Sequence, residues 1–435
     1  MALPSSFLRR SLLTAISATL VATTAQAGSF NNARSLAMGG TGVATAHPAA
    51  AASLNPAMMA ATHHDWSDDF GLILPSVNAR FADEEEVLDQ VDDLQDAIDN
   101  FDELAQEIKN FESFNLTEAE RLRDEARLAA GDLLEQLEAF DKDTIRINAG
   151  AGLSLAVPSP RLAVGFFANG SLTATVRGEF DEDDAALLRK IAEDTTFDPE
   201  DANLEDELKS RGRILASAVV EAGISFAHAL DLGNDHVLQL GVSPKYVQLR
   251  TFQYTESIGE FEDDDFDAAD YETEKSGFNL DIGAAYAFGE NKQWNTGLVV
   301  KNLIPMELKS AQSRPDLDEE RYTLELKPKV TAAIAHTGNY HVVTAELELT
   351  KQKGFGYADD TQWFSVGAEF DAWRFAQLRV GARQNLASNS DNAGIEEKTQ
   401  FTAGLGLNPF GARLDIAALV SDSDLGAAIE FGAAF

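Results

Sequence analysis

The residues best equipped for chemistry are scattered along this chain. Seven histidines stand at positions 47, 63, 64, 228, 236, 336 and 341. None forms an H-E-x-x-H motif or an i, i+4 metal pair, and the neighbours His63 and His64 point apart. Cysteine is absent, which excludes thiol nucleophiles, CxxC redox chemistry and thiolate metal sites. No G-x-S-x-G elbow occurs. Gly40-Thr41-Gly42 lacks both a preceding strand and a third glycine, so it is not a dinucleotide loop. The carboxylate run from Glu260 to Asp270 lacks the spacing of a Ca²⁺ loop; it is either a solvated charge run or a loose divalent-ion site. The expectation is a protein without catalytic residues, metal or cofactor, and therefore not an enzyme.

What remains is charge placed by alternation. Beyond residue 66, apolar residues recur at every second position in segment after segment. Ile145, Ile147, Ala149, Ala151, Leu153, Leu155 and Val157 form one such face, and Ile214, Ala216, Ala218, Val220, Ala222, Ile224 and Phe226 another. Phe70, Leu72 and Leu74 mark a first strand over residues 66–79. Fourteen strands are expected, the seventh over residues 294–306, the eighth over residues 322–336, and the last ending on Phe431 and Phe435. If the apolar faces meet lipid, the opposite faces carry Arg146, Lys245, Lys301, Lys329, Arg379 and Arg383 against Glu221, Asp281, Glu346, Glu348, Glu369, Asp415 and Glu430. Six basic residues against seven acidic ones make a nearly balanced lumen, suited to internal ion pairs and to hydrogen bonds with a plug. Each pair could equally be structural alone.

Loop lengths alternate as well. Residues 158–161, 231–236, 289–293, 337–339, 371–377 and 408–413 are short turns. Residues 83–143, 178–213, 255–276, 309–321, 351–361 and 387–398 are longer and polar. One-sided long loops are the signature of an outer-membrane β-barrel; sandwiches and jelly rolls have no reason for it. The fold class expected is all-β, a 14-stranded antiparallel transmembrane barrel over residues 66–435.

Two segments stand apart from that pattern. Residues 83–140 carry a heptad stripe of Val87, Val91, Leu94, Ile98, Phe101, Ala105 and Ile108. A capping box of Thr117 and Glu120 follows, then a second stripe of Leu122, Ala126, Ala129, Leu133, Leu137 and Phe140. This reads as an antiparallel helical hairpin in the first external loop. Its 20 acidic against 4 basic residues place it in water, either as a solubilising loop or as a dock for a protein partner. The other segment, residues 28–65, is rich in Ala, Gly, Asn and Ser and has no period of its own. Small residues let backbone lie against backbone, and Gly39, Gly40 and Gly42 allow turns closed to other residues. Eight strands leave a lumen that side chains fill, and 16 to 18 leave a water channel, so fourteen need an occupant. This segment is the candidate luminal hatch.

The first 27 residues read as a secretory signal: Arg9 and Arg10, an apolar stretch over residues 12–21, and Ala25-Gln26-Ala27 before a mature start at Gly28. Removing Arg9 and Arg10 takes the formal charge from −38 to −40, since 32 basic residues then face 72 acidic ones. Such a surface repels phosphates, so nucleic acid is not an expected partner. No later run is long and apolar enough for a spanning helix.

The stretch from Ala33 to Ala44, ARSLAMGGTGVA, followed by Asn55-Pro56-Ala57, resembles the amino-terminal segment of the FadL-like outer-membrane barrel superfamily. The helical insertion, Gly241-Val242-Ser243-Pro244-Lys245-Tyr246 and Lys301-Asn302-Leu303-Ile304-Pro305 are more similar to its branch of conjugal transfer proteins TraF. The resemblance implies a hatch carrying Ala33, Arg34, Met38, Gly39, Gly40, Gly42, Asn55 and Pro56, which gates passage of small hydrophobic molecules. It also implies outer-membrane lipids as surroundings, with barrel-assembly machinery reading a carboxy-terminal signal at Phe431 and Phe435. The alternative is a surface component of a conjugative or secretion apparatus that uses the acidic hairpin.

Overall fold

The computed structural model describes residues 32–61, 71–83, 87–110, 116–194, 204–258, 271–317, 319–371, 375–388 and 395–434. The expected leader, residues 28–31 and 62–65 of the expected hatch, the start of the first expected strand, the Glu260 to Asp270 run and Phe435 lie outside them.

Five helices are named here: α1 (Ala33–Ala37), α2 (Pro48–Leu54), α3 (Val87–Lys109), α4 (Leu116–Phe140) and α5 (Glu182–Glu193). The strands run β1 (Gly71–Asp83), β2 (Thr144–Val157), β3 (Ala163–Glu179), β4 (Arg211–Gly233), β5 (His236–Ser257), β6 (Glu272–Phe288), β7 (Trp294–Lys301), β8 (Met306–Lys309) and β9 (Thr323–Leu326). They continue as β10 (Lys329–Thr337), β11 (His341–Glu348), β12 (Trp363–Phe370), β13 (Ala376–Asn385), β14 (Thr399–Leu407), β15 (Ala412–Val420) and β16 (Asp424–Ala434). All but β8 and β9 close into one antiparallel barrel of fourteen strands. Closure is made by β1 on β16, with Val77 opposite Ile429 and Phe81 opposite Leu425. Residues buried toward the lumen alternate with exposed apolar ones; in β12, Phe364, Val366 and Phe370 face out while Ser365, Gly367 and Glu369 face in.

The loop alternation appears as expected, with short turns at one end and long connections at the other, except that the Ser421–Asp424 hairpin is short at the long-connection end. Three expectations need correction. The seventh wall strand ends at Lys301 rather than residue 306, and the eighth begins at Lys329 rather than 322. Asn302 adopts φ 56°, and neither Pro305 nor Pro328 can donate a ladder bond, so the intervening chain leaves the wall and pairs with itself as the β8–β9 ribbon. The first strand spans Gly71–Asp83, and a bulge between Ile73 and Ser76 resets its phase. Leu74 faces out within the bulge, and Val77 and Phe81 after it.

The third correction concerns the helical insertion. Helices α3 and α4 do form the expected hairpin, but they do not stand free in water. Leu94, Ile98, Phe101, Leu122, Ala126, Leu133 and Leu137 bury against each other and against Ile145, Val176, Ile214 and Ala216. These wall residues sit on the outward faces of β2, β3 and β4, so the expected lipid contacts of Ile145, Ile214 and Ala216 are instead contacts with helices. Leu188 and Ile191 of α5 complete the layer. Phe101 is its fully buried centre. Replacing it with Ala is expected to destabilise the helical layer by about 3–5 kcal/mol. In urea, the helical circular-dichroism signal then melts early while the barrel's heat-modifiable gel mobility is retained; an unshifted helical transition would refute this packing.

The long connections also fold inward. Leu215, Val219, Val247 and Leu249 point into the lumen and pack against Met306 and Leu324 of the ribbon and Phe355 and Tyr357 of the β11–β12 connection. Arg213 Nη1 donates to the Tyr357 hydroxyl at 3.2 Å, and the Arg177 guanidinium lies 4.5 Å over the Tyr357 ring. In the connection before β9, Glu319 accepts from the Arg314 amide at 2.8 Å and the Thr255 hydroxyl at 2.7 Å. Burial pushes its carboxyl up, but these donors outweigh it and hold the pKa below the usual range. The ribbon and these connections form a lid at the long-loop end.

Candidate functional site

Residues 32–61 lie inside the barrel at the short-turn end and are almost wholly buried. Asn32 caps α1 by accepting from the Ser35 amide, and Pro48 starts α2. A 3-10 turn over Pro56–Ala60 follows, its first amide held by the Asn55 side chain. Three pieces this short have no stability of their own; the wall around them supplies it.

The wall is cut to receive them. Gly241, Gly283, Gly297, Gly367, Gly381 and Gly404 all face the lumen where the hatch passes. A methyl added at Gly381 would stand 2.2 Å from the Gly39 nitrogen, at Gly367 2.4 Å from the Met38 oxygen, at Gly297 2.5 Å from the Val43 oxygen and at Gly241 2.4 Å from the Ala57 nitrogen. Gly39 itself, at φ 76°, has no room for a side chain against the Val366 and Ala382 carbonyls.

Polar wall residues then pin the hatch. The Ala33 amide donates to Glu430 at 3.3 Å. Arg34 donates to both oxygens of Glu369, at 2.9 and 3.3 Å, and Arg379 donates to the same carboxylate at 2.6 Å. Arg379 goes on to Asp415 at 2.5 Å, and Arg413 meets Asp415 at 2.7 Å. Glu346 accepts from the Gly42 and Val43 amides, each at 2.7 Å. Thr402 Oγ1 accepts from the Gly39 amide at 2.9 Å and donates to the Ala37 carbonyl. Asn55 Nδ2 donates to the Val43 carbonyl at 2.8 Å, tying Asn55-Pro56 back to the glycine turn. Met38 is fully buried, and Gly40 turns the chain at φ 84°.

All thirteen expected lumen residues face inward, but in separate groups. Glu346 and Glu369 hold the hatch. Lys245 bridges Glu221 at 2.7 Å and Asp281 at 2.9 Å near Lys301. Toward the long-loop end, Arg146 pairs with Asp424 at 2.8 Å and Glu397 at 3.3 Å, and Arg80 pairs with Glu397 at 2.5 Å. Arg383 lies in the same group, 4.3 Å over the Trp363 ring. Sequence reasoning missed the wall residues that grip the hatch through its backbone, Thr402, Ser225 and Asn295. It also missed the glycine seat, whose signal was present: these glycines all fall on the inward positions of their strands. Between hatch and lid is a cavity of about 230 Å³. Among the described residues, no group of three or more His, Asp or Glu side chains could hold a metal ion.

A closed fourteen-stranded barrel with an amino-terminal segment threaded through it defines the class: a plugged antiparallel β-barrel. Residues 52–348 match the family described as the F plasmid transfer operon TraF protein, and the chain belongs to that family. Its shape is similar to that of the monoaromatic hydrocarbon channel CymD, at 11% identity over 93% of this chain and 97% of that one, with a TM-score of 0.50. The deltaS2 mutant of the monoaromatic hydrocarbon channel TodX gives 12% identity, 93% and 98% coverage and the same TM-score of 0.50. The toluene transporter TodX of P. putida gives 12% identity, 94% and 99% coverage and a TM-score of 0.48. No curated protein matches the chain. At these identities the likeness is one of fold.

Proposed function

We propose that this protein is a hatch-gated conduit of the outer membrane for small solutes. The observation that carries the reading is the seat: wall glycines admit the hatch backbone, and the hatch is held there by hydrogen bonds and ion pairs rather than by a strand ladder. Such a plug can leave without unpairing a strand. The solved channels of like fold are described as hydrocarbon and toluene channels, and the same class, small and apolar, is the solute proposed here. The inward apolar cluster around Leu215, Val219 and Phe355 supports an apolar approach from the long-loop end.

Membrane residence is supported by the exposed ring of Leu, Val, Ile and Phe along the strands, such as Phe278, Val380, Phe401 and Leu425. Near the short turns a row of stacked or edge-packed rings, His236, Tyr286, Phe288, Trp294 and His336, has the composition of an interfacial girdle. Assembly through the last strand and cleavage after Ala27 are part of the proposal. Phe431 is exposed on the outer face. Intact-mass measurement of outer-membrane protein starting at Gly28 checks the cleavage.

Deleting residues 29–60 is expected to raise solute flux in liposome swelling at least tenfold with the barrel intact. An unchanged barrier would remove the gating proposal. A second reading, a surface component of a transfer apparatus, is favoured by the family's description and by the acidic solvent face of α3 and α4. Excising residues 84–140 should then lower plasmid transfer in mating assays at least tenfold. Undiminished transfer would leave that reading without support.

A further inference from the structure

The turn between β10 and β11 brings two histidines together on the outer wall. The outward positions of β10 include Ile334 and His336, and those of β11 include His341 and Val343; Ile334 and Val343 are both exposed. His336 stands opposite Val343, so His341, two residues earlier, is its diagonal neighbour across the hairpin. Diagonal neighbours lie about 7–8 Å apart at the backbone, within reach of two ring side chains. The Gly338 amide donates to the His341 carbonyl at 2.8 Å and closes the turn. Gly338 also leaves the room that the His341 ring occupies, since a methyl there would stand 2.3 Å from its Cε1. On the other side, Trp294 packs edge-on against the His336 ring, with centroids 4.8 Å apart.

Rings held in this way meet nitrogen to nitrogen. His336 Nδ1 lies 3.2 Å from His341 Nε2, with ring centroids 5.2 Å apart and ring planes 18° from parallel. Two imidazoles bound to one tetrahedral Zn²⁺ at about 2.0–2.1 Å would place their nitrogens about 3.3 Å apart. The spacing found is therefore the bite of a metal chelate. The neighbouring outer-wall histidines are engaged differently: His228 Nδ1 faces the Arg161 carbonyl at 2.5 Å, and His236 Nδ1 faces the Tyr286 hydroxyl at 2.7 Å. An aromatic girdle accounts for rings at this level, but not for two ring nitrogens turned toward each other. In the neutral pair one N–H stands between the nitrogens. A metal ion takes that place once each ring carries its N–H on its other nitrogen, His336 Nε2 and His341 Nδ1.

We propose that His336 and His341 form an open two-histidine site for a divalent transition-metal ion at the short-turn end of the barrel. Imidazole nitrogens favour Cu²⁺, Ni²⁺ and Zn²⁺ over the hard cations Mg²⁺ and Ca²⁺, and Cu²⁺ binds tightest among the first-row divalent ions. Two protein ligands are fewer than the closed set of a structural site, so the remaining positions stay open to water. This agrees with the absence, among the described residues, of any group of three or more His, Asp or Glu able to hold a metal. Positions five apart carry no metal signature on a helix; the hairpin register is what joins them. The site lies on the outside of the wall and does not depend on what the lumen conducts.

The test is electron paramagnetic resonance of the purified full-length barrel in detergent with one equivalent of Cu²⁺. The unaltered protein is expected to show couplings from two imidazole nitrogens. His336→Gln and His341→Gln should each reduce these to one and weaken Cu²⁺ binding at least about tenfold, since loss of even an outer-shell partner costs roughly 10–100-fold. Mg²⁺ in about hundredfold excess should leave the signal unchanged, which separates the pair from surface carboxylates. Both side chains face outward, so the variants should keep the heat-modifiable gel mobility of a folded barrel. Oxygen-only coordination in the unaltered protein overturns the inference without recourse to any variant. A two-nitrogen signal that survives in the double variant His336→Gln, His341→Gln overturns it as well, as does equal Cu²⁺ affinity in the unaltered protein and both single variants.

Discussion

Gly381→Leu is expected to expel the hatch and leave the barrel standing. The new side chain would begin 2.2 Å from the Gly39 nitrogen and 2.3 Å from the Met38 carbonyl carbon. Both are backbone atoms, so no rotamer change relieves the clash. Either the wall or the hatch must move. The wall at this point is fixed from both sides, with Gly381 opposite Gly367 of β12 and Thr402 of β14, in a closed sheet without edges. The hatch is held by a handful of side-chain bonds, so it yields first. Overpacking of ordinary cores costs about 1–3 kcal/mol, and a side chain driven into backbone lies at or beyond the top of that range. Solute flux should approach that of the protein lacking residues 29–60, with heat-modifiable mobility retained. Gly212→Ala is the control, because nothing lies within 4 Å of its added methyl. A Gly381→Leu protein as tight as the parent would show that the seat is not where the hatch is held.

The same glycines explain what was legible in the sequence. Alternation fixes which face of a strand is apolar, so the barrel, its strand number and its inward charges could be read from residues such as Phe364, Val366, Glu369 and Arg379 alone. Heptad spacing gave both helical stripes for the same reason, since it reports only one face of one element. The partner of a face is a different matter. Ile145, Ile214 and Ala216 are apolar and outward whether lipid or a helix covers them, so nothing local told the two apart. The lid was missed likewise, because Phe355 and Tyr357 sit in a polar connection and meet Leu215 and Val219 only after the chain turns inward. At Ile73 and Ser76 the bulge changed the phase within one strand, which a strict period of two cannot represent.

Arg34→Met should loosen the hatch without a clash. Arg34 and Glu369 are 9% and 3% exposed at their side chains and 2.9 Å apart, and the Arg34 Nη1 also reaches the Thr45 carbonyl at 2.6 Å. Removing the cation leaves Glu369 with Arg379 alone, while the Arg379 charge is shared with Asp415. Breaking one partner out of a buried pair costs about 3–5 kcal/mol, because the other charge stays buried. The barrel's strands are paired independently of Arg34, so the loss falls on hatch seating. Hydrogen exchange of the Gly42 and Val43 amides, now covered by Glu346, should accelerate at least about a hundredfold, since each 1.4 kcal/mol is a factor of ten. Glu369→Gln should do the same by a different route, taking the carboxylate from Arg34 while Arg379 keeps Asp415. The double variant Arg34→Met, Glu369→Gln should be less loosened than the sum of the singles, with a coupling of about 0.5–3 kcal/mol. Strict additivity, or exchange as slow as in the parent, would mean that the ion pair decorates a plug held by shape alone. Coupling of that size would instead make Glu369 the latch, because whatever draws Arg34 away from it lowers the barrier for the entire segment to leave its glycine seat.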